Sequence, residues 1–271
     1  MKTTMSATPD SHWLVPDWPA PARVRALSTT RHGGVSQGPY GLAGGVPGGL
    51  NLGTHVGDDP ADVARNRQRL AAHLPSMPRW LDQVHGCAVV TADHVGGAND
   101  RTPQADASVA IAPGHVCAVM TADCLPVLLC DAQGTVVGAA HAGWRGLCNG
   151  VIEATLARMH AAAGGDGQRW LAWLGPAIGP DAFEVGAEVR DAFLAQAHAG
   201  EQAAVAAAFR AGAPGKYLAD IYALARTRLA RAGCTDVYGG DACTVTDAAR
   251  FYSYRRDGVT GRMASLAWLA D

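Results

Sequence analysis

Three segments of the sequence carry side chains that bind metals or move protons, each beside a break in an apolar run. In Leu81-Asp82-Gln83-Val84-His85-Gly86, His85 precedes a glycine. In Met120-Thr121-Ala122-Asp123-Cys124-Leu125-Pro126, Cys124 lies between two strand-like runs. In Ala139-Ala140-His141-Ala142-Gly143-Trp144-Arg145-Gly146, a strand-like run ends at His141 and a glycine turn opens a helix. Singly, each has an ordinary reading: a loop histidine bonded to a backbone carbonyl, a core thiol, and a turn packed by Trp144 with Arg145 in solvent. Together they set two imidazoles and one thiol at strand ends, where sites are often built. Two His and one Cys are good zinc ligands. Three protein ligands leave a fourth tetrahedral position for water, whose pKa zinc lowers to ~7. The same residues permit a nucleophilic pair, Cys124 attacking with His141 as base. The two chemistries compete for one sulfur, and the gaps of 39 and 17 residues match no short zinc motif.

Other clusters offer substrate contacts. The helix start after Gly143 presents free amides to an anion, with Arg145 beside it. Arg31 lies in Thr30-Arg31-His32-Gly33-Gly34, and Glu184 in Phe183-Glu184-Val185-Gly186. In Phe251-Tyr252-Ser253-Tyr254-Arg255-Arg256-Asp257-Gly258, the tyrosines could stack on a flat ring. Arg255 and Arg256 could hold a phosphate or carboxylate bidentately. The same pattern fits a surface hairpin. Of the other cysteines, Cys117, Cys130 and Cys148 read as core, Cys87 and Cys234 have no evident partner, and Cys243 stays open.

The elements that must position these residues follow from pattern. Residues 24–30 read as a strand and 31–50, dense in Gly and Pro, as a long loop. Asp58-Asp59-Pro60 starts a helix that runs to about Leu74. Short apolar runs at 88–92, 107–112, 116–120, 125–130 and 135–140 read as strands of a buried sheet. Helices are expected over 146–163, 185–211 and 217–232, the last two joined by a turn at 212–215. Strands are expected over 170–174, 237–239 and 263–269. Residues 1–22 read as an arm or edge strand and 23–271 as one domain of the α/β or α+β class.

Composition narrows the functions. The chain has 271 residues, 48% hydrophobic and 17% charged, with a formal net charge of −2. That excludes a disordered chain. It leaves no electrostatic footprint for nucleic acid or an anionic membrane. No apolar run is long enough to span a bilayer. Seven cysteines, an odd number, do not form a disulfide framework, and the opening residues lack the apolar stretch of a secretory signal. Both point to the cytoplasm. Nothing in the sequence assigns an oligomeric state.

The motifs TTRHGGVSQGPY, NLGTHVGDDP, LDQVHG, ADA, TADCLPVLL, VGAAHAGWRG, GPAIGP with FEVG, and FYSYRRDGVTGRMAS follow one another from Thr29 to Ser265. In that order they resemble the YfiH-type laccase-domain family, also called multicopper polyphenol oxidase or peptidoglycan editing factor. One departure is a glycine-rich insertion at 43–49. The resemblance makes 23–271 the catalytic domain and implies a single-domain, four-layer α/β/β/α sandwich with mixed sheets. It also implies a metal site of His85, Cys124 and His141, holding zinc, with copper in some members. The implied activity is phosphorolysis of adenosine, inosine and methylthioadenosine, with hydrolytic deamination of adenosine. The partners would then be a small nucleoside and phosphate, and Arg31, Arg145, Glu184, Tyr254 and Arg255 would be the substrate-side candidates. Two alternatives stand beside it. One is a cytoplasmic amidase editing misincorporated amino acids in peptidoglycan precursors. The other is a copper-dependent polyphenol oxidase, which the scatter of ten histidines argues against.

Overall fold

A computed structural model of the chain describes residues 12–93, 101–164 and 168–271. In chain order the strands are β1 (Val24–Ser28), β2 (His32–Ser36), β3 (Val89–Thr91), β4 (Ala107–Ala110), β5 (Val116–Thr121), β6 (Leu125–Asp131), β7 (Val137–Ala142), β8 (Trp170–Leu174), β9 (Glu184–Gly186), β10 (Phe209–Ala211), β11 (Lys216–Ala219), β12 (Asp236–Gly239) and β13 (Met263–Leu269). The helices are α1 (Pro60–Ala71), α2 (Trp144–Asn149), α3 (Val151–Ala163), α4 (Ala187–Ala195), α5 (Gln202–Ala207), α6 (Ile221–Arg231) and α7 (Tyr254–Asp257).

Six strands form the main sheet in the order β12-β8-β6-β7-β4-β3. Its outer pairs, β12 with β8 and β3 with β4, are parallel and its inner pairs antiparallel. A second, antiparallel sheet runs β1-β13-β5, and a small third sheet runs β10-β11-β9. Every residue of β5, β6 and β7 is buried, because both faces of these strands are covered. That is why they read as continuous apolar runs rather than alternating ones.

Alternation still decides which layer each side chain enters. In β6, Val127 and Leu129 meet Leu147, Ile152, Leu156 and Leu224 of the helical layer. Leu128 and Cys130 point the other way, onto Val119, Ala267 and Leu269 of the second sheet. The far face of that sheet, with Ala118 and Leu266, packs on Leu70 of α1 and on Leu50 and Leu52. The result is the expected mixed-sheet α/β/β/α sandwich. A one-residue slip of β6 would exchange its two buried faces, so register is strongly specified. Truncating a side chain such as Leu128 to Ala would cost about 2–5 kcal/mol. Among the described residues no helix is long and apolar enough to cross a membrane.

Several expected elements differ. The helix over 185–211 is instead β9, α4, α5 and β10. Its alanine content favours helix, but Val185 pairs with Tyr217 across β9 and β11, and Phe209 with Ala219 across β10 and β11. Burial of Val185 and Phe209 in the core outweighs propensity there. The turn at 212–215 is therefore a hairpin, and the helix expected from 217 begins at Ile221, where the Asp220 side chain accepts from Ala223 N–H. The long loop contains β2, whose ends bridge to Gly49. The helix over 146–163 starts at Trp144 and breaks at Gly150, whose φ of 100° is left-handed. The aromatic segment near the C-terminus is no surface hairpin: Phe251 and Tyr252 are fully buried, and α7 follows.

Candidate metal centre

Strand pairing carries Cys124 to His141. The β6–β7 register sets Leu125 opposite Ala142 and Pro126 opposite His141, so the residue before β6 lies beside the end of β7. Asp123 turns the chain there with a φ of 94°. Such a conformation is unfavourable for a non-glycine residue. It is held by three bonds: the Asp123 carboxylate accepts from Thr244 Oγ1 at 2.5 Å and Arg255 N–H at 2.6 Å, and its carbonyl accepts from Ile178 N–H at 2.9 Å.

His85 arrives on the segment before β3. The Gln83 side chain clamps that segment to β5, donating to Met120 O at 2.8 Å and accepting from Met120 N–H at 2.7 Å. His85 itself is left-handed, with a φ of 60°. The turn is closed by Asp106, fully buried just before β4, whose carboxylate accepts the N–H groups of Val84, His85 and Gly86 at 3.3, 2.9 and 2.6 Å. The same carboxylate accepts from His141 Nδ1 at 2.8 Å, and the Asp106 carbonyl accepts from His141 N–H at 2.7 Å. One buried side chain thus positions both histidines.

The electrostatics follow. Burial pushes the Asp106 carboxyl up, but hydrogen bonds from His141 and Gly86 outweigh it and hold it below the usual carboxylate range. Burial would also raise the Cys124 thiol. The charge and hydrogen bond of His141, then those of His85, overcome this and bring it down to about 6. Burial would lower His141, but Cys124 and Asp106 raise it to about 9. Without a metal, Cys124 and His141 are a thiolate–imidazolium pair near neutral pH.

The donor set suits a divalent ion. The ligand atoms of His85, Cys124 and His141 all lie within 4.8 Å of one another, and Cys124 Sγ is 3.7 Å from His85 Nε2. Tetrahedral zinc, with bonds of ~2.0–2.3 Å, needs ligand separations of this order. His141 Nδ1 is engaged by Asp106, which leaves Nε2 for the ion in the carboxylate–histidine arrangement typical of metal sites. Gly143 closes the centre. A Cβ there would lie 2.7 Å from His85 Cδ2 and 3.0 Å from Cys124 Sγ. Among the described residues, this is the one group of three such donors.

The three donors line a cleft of about 290 Å³ with His55, Asp82, Gln83, Met120, Tyr254 and Arg262. Of the substrate-side candidates, only Tyr254 lines it. Arg31 is buried elsewhere, its guanidinium donating to Gly41 O and Ala248 O. Arg145 is exposed and stacks on Trp144 at 4.3 Å. Arg255 donates to the carbonyls of Ala182 and Glu184, and Glu184 is exposed. Arg256 is saturated by Asp257 and backbone carbonyls. Tyr252 is fully buried and donates to Tyr40 O, so its ring is not available for stacking. The glycine-rich insertion lines a second, separate hollow with Arg31 and Arg256. Sequence reasoning missed Asp106, Gln83, His55 and Arg262. Asp106 was visible only as the centre of the ADA motif, and Arg262 within TGRMAS.

The profile of a family described as multi-copper polyphenol oxidoreductase laccase matches residues 25–270. A purine nucleoside phosphorylase of Pseudomonas aeruginosa is 57% identical over 259 residues, covering 96% of this chain and 99% of that protein. Purine nucleoside phosphorylase YfiH of Escherichia coli is 53% identical over 261 residues, with coverage of 96% and 99%. The crystal structure of Neisseria meningitidis protein NMB0706 superposes with a TM-score of 0.84 at 52% identity, covering 96% of this chain and all of that one. From its motif order, its sandwich and these matches, the chain belongs to the YfiH-type laccase-domain family.

Proposed function

We propose that the chain is a zinc-dependent purine nucleoside enzyme. It cleaves adenosine, inosine and methylthioadenosine with phosphate and also deaminates adenosine by hydrolysis. The observation that carries this reading is the convergence of His85, Cys124 and His141 within 4.8 Å in a cleft of about 290 Å³ that also contains an aromatic ring. That volume approaches the lower end of small-ligand sites, at roughly 300 Å³. The names of the two curated relatives support the substrate class. Copper shares the same nitrogen and sulfur ligands and is the alternative ion. A multicopper centre needs further donors, and the described residues group only these three.

In phosphorolysis a phosphate oxygen bonds to C1′ as the C1′–N9 bond breaks. The electron pair leaves on the purine, which takes up a proton, and the sugar 1-phosphate is released (ribose 1-phosphate from adenosine or inosine, 5-methylthioribose 1-phosphate from methylthioadenosine). In deamination, water adds at C6 of adenine and ammonia leaves. A bound divalent ion would supply Lewis-acid charge at the floor of the cleft. The chain's own residues supply the rest. Asp106 fixes the His141 tautomer and the His85 turn. The exposed Tyr254 ring offers a face for the base. Leu81 and Met120, both buried, give the cleft an apolar stretch of wall.

The thiolate–imidazolium pair favours a second reading, a metal-free cysteine amidase acting on cell-wall precursors. One experiment separates the two: metal analysis of the purified chain with assays on inosine plus phosphate, on adenosine, and on a peptidoglycan precursor. The expected result is about one zinc per chain and phosphate-dependent release of free base. Both should be lost in Cys124→Ala. Full activity of metal-free protein would overturn the zinc role. Action on the precursor alone would establish the amidase.

A further inference from the structure

The cleft contains one arginine, Arg262, whose guanidinium lies 5.9 Å from the centroid of the Tyr254 ring and whose Nε–Nη2 edge is left without a hydrogen-bond acceptor among the described residues. Arg262 precedes β13 and is anchored on three sides. Its backbone N–H donates to Asn51 Oδ1 at 2.9 Å. Its Nη1 donates to the carbonyls of Thr260 and Gly261, both at 3.1 Å. Its aliphatic stem packs against Gly53, where a Cβ would lie 2.8 Å from Arg262 Cγ. The Nε–Nη2 edge has no acceptor among the described residues. Elsewhere in the chain that same edge grips oxyanions. Arg169 holds Asp236 through Nε at 2.7 Å and Nη2 at 3.0 Å, and Arg256 holds Asp257 through both atoms at 2.7 Å.

We infer that Arg262 is the oxyanion-binding residue of the cleft and takes the phosphate co-substrate bidentately through Nε and Nη2. This rests on the phosphorylase reading above. The fork geometry of guanidinium matches two phosphate oxygens. Arg262 shares the cleft with His85, Cys124 and His141, which sets the phosphate beside the metal donors. His55 lines the same cleft, and Arg67 adds positive charge close to it. Asp82 also lines the cleft. Its carboxylate repels an anion and suits a ribose hydroxyl instead. The other arginines first considered for this role, Arg31, Arg145 and Arg255, do not line the cleft.

The test uses the zinc-loaded full chain with Arg262→Lys and Arg262→Ala, read by steady-state kinetics and by calorimetric titration with inorganic phosphate. Lysine keeps the charge and the packed stem but loses the fork, so it stays informative if the alanine variant folds poorly. Removing a bidentate charged contact predicts a phosphate KM and a phosphate Kd raised about 10- to 100-fold. Nucleoside KM and zinc content should be largely unchanged. Phosphate KM and Kd at wild-type values, or no phosphate binding by the wild-type chain, would overturn the assignment. Phosphate binding that depends on Arg262 in a chain with no phosphorolytic activity would keep the subsite and discard the phosphorylase reading.

Discussion

The Oδ1 atom of Asp106 lies 2.8 Å from Nδ1 of His141, and that contact decides which nitrogen of the histidine faces the cleft. The same oxygen receives the His85 amide at 2.9 Å, so one carboxylate oxygen is shared by both histidine-bearing segments.

Asp106→Asn should therefore damage metal binding more than it damages the fold. Asparagine keeps the shape but replaces one acceptor oxygen with a donor. In a position surrounded by N–H groups, one donor must then go unsatisfied, at a cost of about 1–3 kcal/mol in stability. Partners of metal-bound histidines are worth about 10- to 100-fold in metal affinity. Competition with a chromophoric chelator should show that loss, while far-ultraviolet circular dichroism stays native. Wild-type zinc affinity in the variant would disprove the orienting role.

Gly143→Ala tests the closure of the centre by sterics alone. Gly143 has a φ of −61°, so alanine adds no backbone strain. The new Cβ would meet the His85 ring and the Cys124 sulfur at 2.7 and 3.0 Å, and one of them must move. Metal sites tolerate ligand shifts of only about 0.2 Å. The expected outcome is zinc affinity lowered about tenfold or more, with the thermal midpoint of the metal-free protein nearly unchanged. A metal-free chain that unfolds instead would show that Gly143 serves the fold.

Asp106 and Arg262 show why the site was only half legible in the sequence. His85, Cys124 and His141 stand out because each is a metal-binding type beside a glycine or at the end of an apolar run. Asp106 carries no such mark. It sits between alanines at the start of a buried strand, and its importance arises from contacts 20 and 35 residues away. Arg262 is a single cation between a glycine and a strand, and only the packed structure reveals that its neighbours leave one edge of it unused. The fold was legible where burial on both faces writes an unbroken apolar run, as in β5 to β8. It was not legible over 185–211, where alanine reads as helix and the long-range pairings of Val185 and Phe209 are invisible locally.

Metal affinity should rise with pH, and the two shifted groups set how steeply. A metal needs Cys124 as thiolate and His141 neutral. Cys124 is already ionised above about 6, while His141 keeps its proton up to about 9. Between those values binding displaces about one proton, so affinity should climb about tenfold per pH unit. Below about 6 the sulfur must also be deprotonated, and the dependence should steepen. Calorimetry near neutral pH, in buffers of different ionisation enthalpy, should report about one proton released per zinc. Zero protons released would mean that His141 is neutral in the metal-free protein.

The seven cysteines should separate into two reactivity classes. The thiolate is the reactive species, so a thiol's environment sets its rate. Burial pushes Cys117 and Cys234 up to about 12 and raises Cys130, Cys148 and Cys87 as well. Cys124 and Cys243 move the other way. For Cys243, burial is outweighed by hydrogen bonds from the Thr246 hydroxyl and from the amides of Thr246, Gly179 and Val245, the Gly179 amide reaching its sulfur at 3.2 Å. Brief alkylation of metal-free protein, mapped by peptide mass spectrometry, should mark Cys124 and Cys243 first. Adding zinc before alkylation should protect Cys124 and leave Cys243 reactive, because only the first has two histidines within ligand distance. Cys87 is the demanding comparison. It is half-buried like the other two, yet lacks their hydrogen-bond donors, its thiol donating instead to Gly146 O at 3.7 Å. Modification of Cys87 ahead of Cys243 would mean that access, rather than stabilisation of the thiolate, governs reactivity on this surface.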